Sequence, residues 1–154
     1  MNENRIPQDM DLQAIQELIE EAKQLVEGHN LSLEEVYAEE LVEYFSGEAP
    51  SGDTITLAKI LTNQWLLLHE VIELSELKRM GYDISFELLF TNQKEVYQAH
   101  LTATEWELQI AKENDDIEWV KQRIALIPSW LEDPDMPTIL RKQCKKLLTM
   151  YEDL

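Results

Sequence analysis

Cysteine occurs once in this chain, at Cys144. One thiol excludes an internal disulfide framework and any zinc cluster built on cysteines. Among Gln143, Lys145 and Leu147 it reads as a small hydrophobe on a helix, with no catalytic partner beside it. Glycine and proline are scarce too, 4 and 5 in 154 residues, and so little punctuation favours long helices over many short strands. Positive charge is short: 13 Lys and Arg stand against 31 Asp and Glu, a formal net charge of -18. That argues against a nucleic-acid partner, whose backbone needs clustered cations. It leaves a polyvalent cation, a basic partner or plain solubility as what the acid serves. Long apolar runs are missing as well: none exceeds four residues, against the ~20 of a membrane helix. The first residues, MNENRIPQDMD, hold no basic segment followed by an apolar run. The expectation is a soluble, cytoplasmic protein without signal peptide or membrane partner.

What is present is helical periodicity. The hydrophobic fraction of 44% suffices for one packed core in a chain of this length. Residues 1–10 read as a flexible arm, and 11–154 as a single all-α domain, a bundle of about six helices around a central long helix over 54–81. From about Asp11, residues Leu12, Ile15, Leu18, Ile19, Ala22, Leu25 and Val26 form one stripe that ends at Gly28. Ser32 with Glu35 three residues on is a capping-box signature for a second helix, closed by Gly47. The central helix lies between Gly52 and Gly81, with Asp53 or Thr54 as its cap. Residues 85–90 read either as a short helical turn or as an extended piece, for which no other segment offers a strand partner. A further helix is expected from Asn92 to about Lys112, and another from a cap at Asn114 or Asp115 to Ile127, stopped by Pro128. A last helix follows Asp135 and Pro137.

The central helix carries the one His-acid cluster. At about 100° per residue, His69, Glu73 and Glu76 fall near one line, with Glu70 beside Glu73. Such a set fits a divalent ion, magnesium or manganese for the hard carboxylate oxygens. The same wheel allows another reading, in which Lys59, Thr62 and Asn63 join His69, Glu70 and Glu73 on a solvated face and Leu57, Ile60, Leu61, Leu67, Leu68, Val71 and Ile72 face inward.

The octet Glu70-Val-Ile-Glu-Leu-Ser-Glu-Leu77 resembles the first signature helix of the MazG-like, all-α nucleoside-triphosphate pyrophosphatases, whose pattern is Glu-Glu-x-x-Glu and then Glu-x-x-Asp on the next long helix. The resemblance implies a helical, often dimeric fold in which Glu70, Glu73, Glu76 and Glu95 hold magnesium for hydrolysis of a nucleotide phosphoanhydride. Two positions depart from the pattern: His69 stands for the first Glu, and in Glu95-Val-Tyr-Gln98 a Gln replaces the Asp. In another frame Glu39, Glu40 and Glu43 complete the first motif and Glu70 and Glu73 form the second. As surface residues, the Glu39 group gives a solvated face with a favourable helix dipole.

His29, the pair His69-Glu70 and Asp115 or Asp116 resemble the HD phosphohydrolases, with Glu in place of the pair's Asp. His29 after Gly28 also reads as a helix-end residue, and His100 as a half-buried helix residue directed away from Glu95 and Gln98. Trp65, Trp106, Trp119 and Trp130 read as packing residues. Arg141, Lys142, Lys145 and Lys146 form the one basic patch, suited to pair with an acidic helix of the same or a second subunit. The functional expectations are therefore a metal-dependent nucleotide pyrophosphohydrolase, active or degenerate, or a non-catalytic helical interaction protein that forms a homodimer, with an HD-like phosphohydrolase third.

Overall fold

In the computed structural model, residues 6–7, 10–46 and 56–154 are described. The caps at Asp53 and Thr54, the glycines 47 and 52, and the start of the expected central helix lie outside them. The described residues are helical and loop throughout, without a strand. In chain order the helices are α1 (Leu12–Gln24), α2 (Ala38–Tyr44), α3 (Leu57–Leu61), α4 (Gln64–Arg79), α5 (Leu88–Thr91), α6 (Gln93–Glu113), α7 (Ile117–Ile124), α8 (Ile127–Leu131) and α9 (Thr138–Met150). None is long and apolar enough to cross a membrane. Of the first ten residues, Ile6 and Met10 pack against the core.

The all-α architecture is the expected one, but its axis is shorter than 54–81. Residues 57–79 make two helices, broken at Thr62 and Asn63. Both residues offer the backbone something other than a continuous helix. The Thr62 hydroxyl donates back to the carbonyls of Ala58 and Lys59, and the Asn63 side chain accepts from the N–H groups of Trp65 and Leu66. Short polar side chains compete with the helical ladder in this way, and Asn at the cap position wins. Gly81 ends α4 with a φ of 98°, the left-handed conformation that costs a glycine nothing.

The helix expected from Ser32 begins six residues later, at Ala38. Residues 31–37 have no regular secondary structure, and several of their backbone groups are taken up by side chains from two helices. Ser75 Oγ accepts from Glu34 N at 2.8 Å. Gln16 donates to Val36 O and accepts from Ala38 N. Lys78 and Arg79 donate to the carbonyls of Glu35 and Ser32. A segment so satisfied has no need of helical hydrogen bonds, and the capping carboxylate proves to be Glu40, which accepts from Tyr37 N.

Two further boundaries differ. Asp116, rather than Asn114 or Asp115, caps α7, and Asp115 takes a positive φ of 63° that reverses the chain after α6. Pro128 opens α8 from its first turn, where the missing N–H is not needed.

Helix α4 is buried on almost every side. Leu67, Val71, Leu74 and Leu77 join Ile15, Ile19, Leu41, Leu57 and Ile60 in one apolar cluster. Trp65, Leu68 and Ile72 join Leu101, Leu108, Ile110, Val120 and Leu147 in a second. The long helix α6 packs along α4 more extensively than any other pair of elements. What remains of the α4 circumference, the line of His69 and Glu73, therefore meets α6 inside the bundle. The solvated-face reading of His69, Glu70 and Glu73 is corrected here: they are 1%, 7% and 4% exposed.

Candidate metal centre

His69 and Glu73 are four residues apart on α4, and His100 and Glu107 are seven apart on α6. Each spacing returns to nearly one line of its helix. The helices run antiparallel, so His69 meets Glu107 and Glu73 meets His100.

Three atoms converge between them. His69 Nε2 lies 3.2 Å from Glu73 Oε1 and 3.1 Å from His100 Nδ1, and His100 Nδ1 lies 3.1 Å from Glu73 Oε1. Among the described residues, His69, Glu73 and His100 form a group that can hold a metal ion. All three atoms are acceptors in their lone-pair forms. Held this close, at least one of the ring nitrogens carries a hydrogen, or the three atoms share a metal ion.

Each ligand is backed by a second contact. His69 Nδ1 donates to Glu107 Oε1 at 2.9 Å, which directs Nε2 into the group. Tyr44 donates its hydroxyl to Glu73 Oε2 at 2.7 Å. The His100 ring stands edge-on to the Trp130 ring, with centroids 4.7 Å apart. Glu107 is fully buried, and its oxygens are filled by other donors as well: Arg123 Nε at 2.8 Å, Arg123 Nη2 at 3.1 Å and Trp119 Nε1 at 2.7 Å. Tryptophans expected only to pack thus donate to acids, as does Trp65, whose indole N–H reaches Asp116 at 2.7 Å.

Burial opposes charge throughout, and the partners decide the outcome. For His69, burial favours the neutral ring, but the hydrogen bonds to Glu107 and Glu73 and the negative charge around them raise its pKa to about 10. Burial would raise Glu73, yet hydrogen bonds from His100 and His69 hold it well below the usual carboxylate range. Burial likewise works against charge on Glu107, and His69 and Arg123 pull it down. Burial lowers His100, and the positive charges of His69 and Arg123 add to that against the pull of Glu73. The Tyr44 phenol, raised by burial and by Glu73 and Glu70, stays a donor.

The other expected site residues lie as follows. Glu70 Oε1 is 3.9 Å from His69 Nε2, beside the group and not within it. Glu76 forms an ion pair with Arg79. Glu95 is half-buried in the first turn of α6; counting about 100° per residue, it stands some 140° around that helix from His100. His29 pairs with Glu113 at 2.6 Å and meets Trp106 edge-on, while Asp116 caps α7; neither belongs to the group. Glu39 and Glu43 are exposed. Arg141 donates to the carbonyls of Leu131 and Asp133, and among the described residues Lys142, Lys145 and Lys146 are exposed and form no ion pair.

The reading that missed most is that of His100. Its angle on its own helix points it away from Glu95 and Gln98, whereas its partner is Glu73 on α4. A signal was present: His and Glu at heptad spacing on α6, opposite His and Glu one turn apart on α4. Searches of protein-family models, curated proteins and solved structures return no match to the chain.

Proposed function

We propose that this protein binds one divalent transition-metal ion between α4 and α6, with His69, Glu73 and His100 as ligands, and that the ion is the seat of its activity. The observation that carries the reading is the near-equilateral triangle of ligand atoms, 3.1 to 3.2 Å on a side. An ion about 2.1 Å from each atom would see them about 95 to 99° apart, between the ~90° of an octahedral face and the ~109° of a tetrahedron. Two imidazoles and one carboxylate suit zinc, iron(II), manganese or cobalt better than magnesium, which prefers oxygen alone.

An ion held on one face keeps positions for water and substrate. Such an ion, held by His69, Glu73 and His100, would lower the pKa of a bound water and supply a hydroxide nucleophile, with Glu70 Oε1 3.9 Å from His69 Nε2. The reaction class is metal-assisted hydrolysis, in keeping with the resemblance to nucleotide pyrophosphohydrolases, though the ligand set is richer in histidine than that resemblance implies.

A second reading rests on a different observation: both nitrogens of His69 and both oxygens of Glu107 are already engaged without a metal. In that reading a proton on His69 fills the group, and the cluster only holds the helices of an interaction protein together. Titration calorimetry with zinc, manganese and magnesium separates the two, on the native protein, His100→Ala and Glu73→Gln. Saturable one-to-one binding of a transition metal, lost in both variants, supports the metal centre and justifies assays on nucleoside triphosphates. Binding that is absent, or equal in all three proteins, leaves the protonated cluster.

A further inference from the structure

Resting on the metal-centre reading, we infer that Glu107 is a positioning residue that makes His69 meet the ion through Nε2, opposite His100, which meets it through Nδ1. Free imidazole offers either nitrogen, and nothing in the residue type decides between them. At His69, Glu107 decides. Its Oε1 accepts from His69 Nδ1 at 2.9 Å, so that nitrogen keeps its proton and the lone pair is left on Nε2, on the side of Glu73 and His100. His100 reaches the same point from the opposite helix with Nδ1.

A carboxylate so near the group would be expected to ligate the ion itself. Arg123 and Trp119 prevent that. Arg123 holds both oxygens of Glu107 in a two-pronged pair, at 2.8 and 3.1 Å, and Trp119 adds a third donor at 2.7 Å. Together with His69 Nδ1 they give the carboxylate four donors and fix its plane. Both clamp residues lie on α7, and α7 packs on α6. The seating of α7 is thereby coupled to the orientation of His69. An acid that accepts from the far nitrogen of a metal-bound histidine also raises the basicity of the ligating one, and losing such a partner costs roughly 10- to 100-fold in metal affinity.

The test uses the full chain loaded with zinc, labelled with nitrogen-15 in histidine. The expected spectrum has two zinc-bound rings of opposite tautomer, one protonated at Nδ1 and one at Nε2, with the Nδ1–H ring assigned to His69 by its loss in His69→Gln. Two rings of the same tautomer would overturn the inference. Glu107→Gln should keep one-to-one zinc binding but lose roughly 10- to 100-fold in affinity, and Trp119→Phe, which removes one donor and keeps the ring, should lose less. If Glu107→Gln unfolds, Trp119→Phe and the native spectrum still decide. Unchanged affinity in both variants, with zinc bound normally by the native protein, would refute the role of Glu107 and spare the centre. No zinc binding by the native protein would remove the centre itself.

Discussion

The residues at the centre of the molecule are governed by one requirement, that a buried charge must meet its opposite. His69 takes a pKa of about 10 in place of 6.5 because Glu107 and Glu73 hold its protonated form. A raised pKa has a definite sign in stability. The contribution of His69 is complete below about 6.5 and is lost as the pH rises toward about 10, while Glu73 and Glu107, lowered, contribute above their ordinary values and lose that contribution in acid. Thermal melts in chelator should therefore fall between neutral pH and pH ~10, and excess zinc should remove the fall, since the ion replaces the proton. Zinc binding at neutral pH should release one proton from His69, visible as a heat that scales with buffer ionisation enthalpy; no such scaling would rule out the displacement. Arg123 makes the converse point. It is 4% exposed and paired to Glu107. Arg123→Leu should cost about 3–5 kcal/mol in urea denaturation of the metal-free protein, because it leaves the buried Glu107 carboxylate with His69, shared with Glu73, as its remaining cation.

Elements are set by where backbone groups find partners. The break between α3 and α4 and the irregular run before α2 have the same cause: polar side chains supply hydrogen bonds that a longer helix would otherwise make. Asn63→Ala should cost about 1 kcal/mol through loss of the α4 cap, read from the urea midpoint. Ser75 is fully buried, and its hydroxyl serves the Glu34 amide. Ser75→Ala should cost about 1–3 kcal/mol and speed hydrogen exchange at that amide, while exchange in α9 stays as it was. The stripe from Leu12 was legible in advance because an amphipathic period is a local signal, and the structure places α1 there with Asp11 as cap, though the helix ends at Gln24 and turns carry the chain on to Gly28. Ser32 misled because the partners of its segment, Gln16, Ser75, Lys78 and Arg79, lie far along the chain.

At the scale of the whole molecule, two apolar clusters share α4 as their common wall, and the third side of that helix closes the polar centre against α6. Around this lies an acidic surface with a formal net charge of -18. Like charge at that density strains the compact state and is screened over about 10 Å at 0.1 M salt. The melting temperature should therefore rise when monovalent salt goes from ~10 mM to ~300 mM at pH 7.5, read by scanning calorimetry. A fall would mean that specific surface pairs outweigh the general repulsion.

Composition and period by themselves determined the helical class, most of the helices and the importance of the stretch around His69. Those properties are local: an apolar stripe, a cap or a glycine acts through its immediate neighbours. Tertiary structure alone decided that His69, Glu70 and Glu73 are buried, that His100 and Glu107 are the partners of His69 and Glu73, and that Glu95 is not. That choice depends on the register and rotation of α6 against α4, set by how two apolar clusters pack around both helices. No single helix encodes its angle to another, so a residue's partner across the bundle has no signature in its own segment.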